Sequence, residues 1–330
     1  MSGNKRREIK KAEEHHSNHS INHPASQTSH SHKKGLWQKL VDVYTNKWKA
    51  LMLIPFIILL LSFGVLGYSY ITKGEFIGKG VSIKGGTSIT ILSTTLNSDD
   101  MKKTIETEFP KASIEARTLS SGGGQIGVIV EASDVDSDTL QQFLQAKYSL
   151  NKGDYTVEVT GSSLGASFYS QMILAIIAAF ILMGLVVYFY FRTLAPSAAI
   201  ILAAFSDMIT TLAVINLMGI KLTAAGIAAF LMLIGYSVDT DILLTARVLK
   251  RKEGTVDEKV FSAIKTGTTM TFAAIAATGI SLILAQSDVI KQIMLILVLG
   301  LIADLIYTWI QNVGLLKWYL EKKEKKGVSK

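Results

Sequence analysis

The hydrophobic pattern of the chain is dominated by six long apolar runs, at about 50–71, 166–191, 196–218, 222–246, 266–285 and 289–313. A helix needs about 20 predominantly apolar residues to cross the hydrocarbon core of a bilayer, so each run predicts one transmembrane helix. The first run is not a cleaved signal peptide: it begins too late, is too long, and no small-residue cleavage site follows it. Between the first and second runs the period changes. Residues 86–93, 112–119, 125–132 and 155–160 alternate in strand fashion, while 100–109 and 136–149 carry helical spacing, with Leu140, Phe143, Leu144 and Tyr148 on one face of the second. Asn97 or Ser98 can cap the first helix, and Ser121-Gly122-Gly123-Gly124 reads as a hairpin turn.

The element order β-α-β-β-α-β is the ferredoxin-like pattern. The predicted fold is therefore a membrane α-helical bundle of six transmembrane helices, with a ferredoxin-like α+β domain between helices 1 and 2. The predicted organisation is a disordered tail over 1–36, a juxtamembrane segment and helix 1 over 37–71, the inserted domain over 72–163, helices 2–6 over 164–316, and a basic tail over 317–330.

Composition agrees with this division. The 330 residues are 49% hydrophobic and only 18% charged, below the roughly 25% charge usual for soluble domains. The net charge of +8 does not point to nucleic acid, because the basic residues crowd the tails and short loops. Arg192, Arg247, Lys250, Arg251, Lys252, Lys259 and Lys265 flank spans that would end on the same side as both termini, whereas the two short loops opposite hold only Lys221 and Lys291. The positive-inside rule then puts both termini in the cytoplasm and residues 72–163 outside the cell (plasma) membrane, a multi-pass arrangement. All six histidines lie between His15 and His32. Their irregular spacing, without a carboxylate or cysteine shell, favours a solvated tail near anionic lipid over a metal-binding tract. There is no cysteine, so disulfides and thiolate metal sites are excluded. No metal site or cofactor motif is evident. No His-Glu-x-x-His, Gly-x-Ser-x-Gly or P-loop is present, which argues against an enzyme.

The candidate chemistry lies in carboxylates inside the apolar runs. An ionisable group there costs at least about 2.5 kcal/mol and is a functional hypothesis by default. Counted from the run ends at 1.5 Å per residue, Asp207, Asp239 and Asp304 sit at about 16, about 12 and about 13 Å from the cytoplasmic face. Asp239 and Asp241 are two residues apart, about 200° around the helix, and so face different grooves. Asp207 and Asp239 are the expected facing pair, with Asp241 and Asp304 as further proton-relay candidates. Arg247 either snorkels to the surface or faces the bundle as an electrostatic modulator of the carboxylates.

Several short motifs resemble those of a known family. Gly85-Gly86-Thr87 follows the first span, Ser206-Asp207 lies in the third, and Gly235-Tyr236-Ser237-Val238-Asp239 leads to Arg247 in the fourth. With six spans and a ferredoxin-like insertion, the chain resembles the SecF family of protein-export membrane subunits, related to RND transporters, over about 54–319. Ser82, Ser206, Asp239-Thr240-Asp241 and Ala246 depart from the common bacterial pattern; together with Asp304-Leu305 and Thr308-Trp309 they are more like archaeal members. The resemblance implies an accessory role in protein translocation beside a SecD-like six-span protein and a SecY-type translocon, with exported polypeptide and membrane lipid as further partners. It makes Asp207 and Asp239 candidate proton carriers. The alternative is a half-unit of an RND-type small-molecule or ion transporter.

Overall fold

A computed structural model describes residues 43–121, 124–285 and 287–328. The predicted His-rich tail, the tip of the Gly122-Gly123 turn and the last two residues lie outside the described residues. Among the described residues, six helices are long and apolar enough to span a membrane: Trp48–Lys73, Ser162–Phe191, Leu194–Leu217, Ala224–Lys250, Val256–Leu284 and Val289–Lys325, numbered here as spans 1 to 6. Their apolar windows are buried very unequally, from 6% in span 2 and 11% in span 5 to 50% in span 3 and 56% in span 4. Spans 3, 4 and 6 form the centre of the bundle. Spans 2 and 5 present mostly apolar side chains to the surroundings, as lipid solvation permits.

Two helix ends differ from the hydrophobic pattern. Span 5 begins ten residues before the predicted 266, because Thr255 and Glu258 form a reciprocal capping box that starts a helix in polar sequence. Span 6 runs past 313 into the basic segment. There Lys317 is buried and paired with Asp257 at 2.6 Å, which fastens the helix end to the start of span 5. A hydrophobicity criterion ends where the lipid ends; the helix continues for as long as its polar face finds partners.

Between spans 1 and 2, four strands form one antiparallel sheet: β1 Gly86–Leu92, β2 Ser113–Ser121, β3 Gly124–Ser133 and β4 Tyr155–Thr160. They lie in the order β2, β3, β1, β4. A short helix α1 (Val81–Lys84) precedes β1, and α2 (Ser98–Glu108) and α3 (Ser137–Tyr148) follow β1 and β3. The alternation read in the sequence puts Ile89, Ile91, Val128, Val130 and Ala132 on one face, where they bury Met101 and Ile105 of α2 and Leu140 and Leu144 of α3. Asn97 caps α2 by accepting from the Asp99 and Asp100 amides, and Asp136 caps α3 by accepting from the Thr139 amide. These bonds stabilise the ionised cap and hold the Asp136 carboxyl below its usual range.

The domain is joined to the bundle by more than its two covalent links. The Gly80 amide donates to Leu222 O and the Leu222 amide to Gly78 O, each at 2.8 Å. The Ala224 amide at the start of span 4 donates to Ser82 Oγ at 3.1 Å. Lys221 reaches Ser113 Oγ at 2.9 Å, and Gln292 of span 6 donates to Lys221 O at 2.7 Å. The Gly85-Gly86-Thr87 motif sits at this joint. A Cβ on Gly85 would lie 2.5 Å from Ser162 Cα and one on Gly86 2.3 Å from Ala132 O, and both glycines have positive φ. Only glycine lets the chain pass this closely between span 2 and the sheet. Thr87, the second residue of β1, is buried.

Candidate functional site

Three carboxylates meet in the middle of the bundle: Asp207 from span 3, Asp241 from span 4 and Asp304 from span 6, each 0% exposed. Two hydroxyls bond to them, and one of these bridges a pair. Ser237 Oγ donates to Asp207 Oδ2 at 2.5 Å. Thr308 Oγ1 lies 3.0 Å from Asp241 Oδ1 and 2.8 Å from Asp304 Oδ1. Asn312 Nδ2 donates to the same Asp241 oxygen at 2.7 Å. Around this centre, Gln311 Nε2 approaches Ser206 Oγ at 3.5 Å, and Tyr307 OH and Thr210 Oγ1 are hydrogen-bonded at 2.6 Å.

The sixth span delivers this set because it changes its helical pitch. Tyr307–Asn312 is a π-helix, and Tyr307, Thr308, Trp309, Gln311 and Asn312 are all buried in it. A π-turn widens the helix and is found mostly at functional sites. Space for it comes from small residues on neighbouring spans: a Cβ on Gly267 of span 5 would stand 2.3 Å from the Trp309 ring.

The electrostatics are one-sided. Among the described residues, no lysine or arginine forms an ion pair with any of the three carboxylates. The second oxygens Asp207 Oδ1, Asp241 Oδ2 and Asp304 Oδ2 have no hydrogen-bond partner, nor do Gln311 Oε1, Asn312 Oδ1 and Thr245 Oγ1. All but the Thr245 hydroxyl, which can also donate, are acceptors, and they outnumber the one unpartnered N–H in the same turn, Trp309 Nε1. The centre therefore holds more acceptors than donors, in a medium where an uncompensated charge costs several kcal/mol. Among the described residues, no three of His, Cys, Asp and Glu are arranged to hold a metal ion. The shortage is one that protons can fill.

The structure brings together three of the four carboxylates singled out in the sequence and separates the fourth. Asp239 was expected to face Asp207, with Asp241 turned away; the reverse is found. The inward stripe of span 4 is Phe230, Leu233, Ile234, Ser237, Asp241, Leu244, Thr245 and Val248. Asp239 lies on the exposed side with Tyr236, which is 44% exposed, and Gly235, whose missing side chain would meet nothing within 4 Å. The two residues lie about 200° apart, as helix geometry requires, but hydrophobic residues line both sides of span 4 and leave the direction of the pair to packing. Of Gly235-Tyr236-Ser237 only Ser237 enters the cluster. Arg247 also departs from the modulator reading: its guanidinium donates to Ser262 O, and to Ser262 Oγ at 3.0 Å, tying span 4 to span 5. Gln311 and Asn312 were not singled out. Their signal was present in the spacing, since Asp304, Thr308, Gln311 and Asn312 recur at helical intervals in an otherwise apolar run.

Residues 139–322 match the family described as protein export membrane protein SecD/SecF, C-terminal. The chain is 40% identical over 281 residues to the protein-export membrane protein SecF of Methanocaldococcus jannaschii, covering 83% of this chain and 96% of that one. It is 37% identical over 278 residues to the SecF of Pyrococcus furiosus, covering 84% and 93%. Among solved structures it resembles SecDF, a translocon-associated membrane protein from Thermus thermophilus, with a TM-score of 0.69 at 17% identity. That likeness is one of fold; it covers 85% of this chain but 39% of the longer SecDF chain. The chain belongs to the SecF family of protein-export membrane proteins.

Proposed function

We propose that this SecF-family chain is an accessory subunit of the Sec protein-translocation machinery, that it works with a SecD-like six-span protein beside a SecY-type translocon, and that proton movement through Asp207, Asp241 and Asp304 drives it. Family membership supports the export role. The partner reading draws on the solved SecDF chain, of which this chain matches 39%; a six-span unit with one inserted domain fits half of such an assembly. The observation that carries proton coupling is the buried cluster of three carboxylates with several unpaired oxygens and, among the described residues, no lysine or arginine paired to it. Carboxyl groups in this setting serve as exchange sites for protons crossing a membrane.

The inserted domain over 72–163 is assigned to the extracytoplasmic side and to the ferredoxin-like class. The strand order β2, β3, β1, β4 with both helices on one face supports the class, and the basic bias of the opposite loops supports the side. There it would meet the emerging polypeptide. Its hydrogen bonds to the 221–224 loop and, through Gln292, to span 6 offer a route by which rearrangement of spans 4 and 6 moves the domain.

The test is protein translocation into vesicles containing the translocon and the subunit with its partner, with and without an imposed proton gradient. Asp207→Asn and Asp241→Asn are each expected to remove the gradient-dependent part of export while leaving insertion and co-purification with the partner intact. Asn keeps size and hydrogen bonding but cannot carry the proton. Full gradient-dependent export in the double variant would make the carboxylates structural.

A further inference from the structure

Thr308 is placed between two carboxylates and cannot serve both as an ordinary donor. Its Oγ1 is 3.0 Å from Asp241 Oδ1 and 2.8 Å from Asp304 Oδ1, both within O–H···O hydrogen-bonding range. A hydroxyl has one hydrogen to give and two lone pairs to receive. With Asp241 and Asp304 both ionised, one of the two contacts would be oxygen against oxygen with no proton between, inside a fully buried site. That arrangement is repulsive, and among the described residues no lysine or arginine pairs with either carboxylate to relieve it. Asn312 already spends its donor on Asp241 Oδ1 and has its own Oδ1 unpaired. The other titratable group alongside, Tyr307, has its hydroxyl engaged with Thr210.

We propose that Thr308 is a proton-relay residue: in this arrangement one of Asp241 and Asp304 is a carboxylic acid that donates to Thr308 Oγ1, while the Thr308 hydroxyl donates to the other. The cluster thus stores a proton. Transfer through the hydroxyl is balanced. Asp304 Oδ1–H breaks as its hydrogen bonds to Thr308 Oγ1, and the original Thr308 O–H breaks as its hydrogen bonds to Asp241 Oδ1. One proton has then moved from span 6 to span 4, and the negative charge has moved the other way. On the other side of the cluster the Ser237 hydroxyl serves Asp207. Asp304 and Asp241 are therefore joined through Thr308, linking span 6 to span 4, with Asp207 and its partner Ser237 buried in the same cluster. A charge moving between Asp304 and Asp241 links proton position to the packing of the π-turn.

The inference rests on reading the cluster as a proton site, and its test is separate from export. Infrared spectra of the full-length chain in a carbonyl-free detergent at neutral pH report protonated carboxyls through their C=O stretch, and exposed carboxylates, ionised at that pH, do not contribute. The wild type is expected to show this band. Thr308→Val, which keeps the shape and removes the hydroxyl, is expected to shift it, and Thr308→Ser to restore its position. Absence of the band in the wild type overturns the stored proton, with no variant needed. A band that Thr308→Val leaves unmoved overturns the role of Thr308. Export unaffected by Asp207→Asn and Asp241→Asn, with the band present, would overturn the proposed function and leave the stored proton standing.

Discussion

Asp241 shows how a single residue's surroundings define its chemistry. One of its oxygens lies within hydrogen-bonding distance of both Thr308 Oγ1 and Asn312 Nδ2 while the other has no partner, and the whole side chain is buried. Asp239, two positions earlier on the same helix, is exposed on the outer face beside Tyr236. The two therefore answer differently to the same change. Asp241→Asn replaces a carboxylate at the centre of the cluster. Asp239→Asn removes a charge from the outer face, where a carboxylate is costly in hydrocarbon. Gradient-dependent export is expected to survive Asp239→Asn and to be lost in Asp241→Asn, measured side by side in the same vesicles. Loss in both would mean that the outer face of span 4 also takes part.

At the scale of elements, the inserted sheet and the membrane spans are stabilised in different ways. The sheet owes its face to strict alternation, and α2 and α3 owe their starts to side-chain caps at Asn97 and Asp136. That combination is self-sufficient in principle, though so small a core leaves stability modest. Residues 76–161 expressed alone are expected to unfold cooperatively in denaturant. Leu140→Ala, at a position with no exposure, is expected to lower their stability by about 2–5 kcal/mol, read as a shift of the transition midpoint. A broad, non-cooperative transition in the unmodified fragment would show that the domain needs its joint with the 221–224 loop. The spans have no such independence. The π-turn of span 6 exists where Gly267 leaves room for Trp309, and its buried amides are satisfied only in part by residues of spans 3 and 4.

At the scale of the molecule, the arrangement is a polar centre inside an apolar bundle, tied on one side to a folded domain and on the other to a basic helical end. Arg247 bonded to Ser262 and Lys317 paired with Asp257 fasten spans 4, 5 and 6 on that basic side. Lys221, Ser82 and Gln292 fasten the domain to spans 4 and 6 at the opposite ends. Single cysteines at Ser121 and Thr255, in the otherwise cysteine-free chain, are expected to react with a membrane-impermeant thiol reagent from opposite sides, with Ser121 outside. Labelling of both from one side would require a different number of crossings.

Legible in the sequence were the six spans, the order of strands and helices in the insertion, a cap for α2 at Asn97 or Ser98, and carboxylates at similar depth on three spans. Each follows from local physics: apolar length against bilayer thickness, a period of two or 3.6, or a side chain within reach of its own backbone. Only the tertiary structure decided which of Asp239 and Asp241 faces inward. Helix geometry fixes the angle between them, but the direction of the pair depends on packing against spans 3 and 6, and lipid accepts the apolar residues on either side. The partner of Arg247 was likewise set by a neighbouring helix, where Ser262 offers both a carbonyl and a hydroxyl. The π-turn that gathers Thr308, Gln311 and Asn312 had no local signal, because a widened turn is stable only where surrounding helices leave space for it and supply partners for its polar side chains.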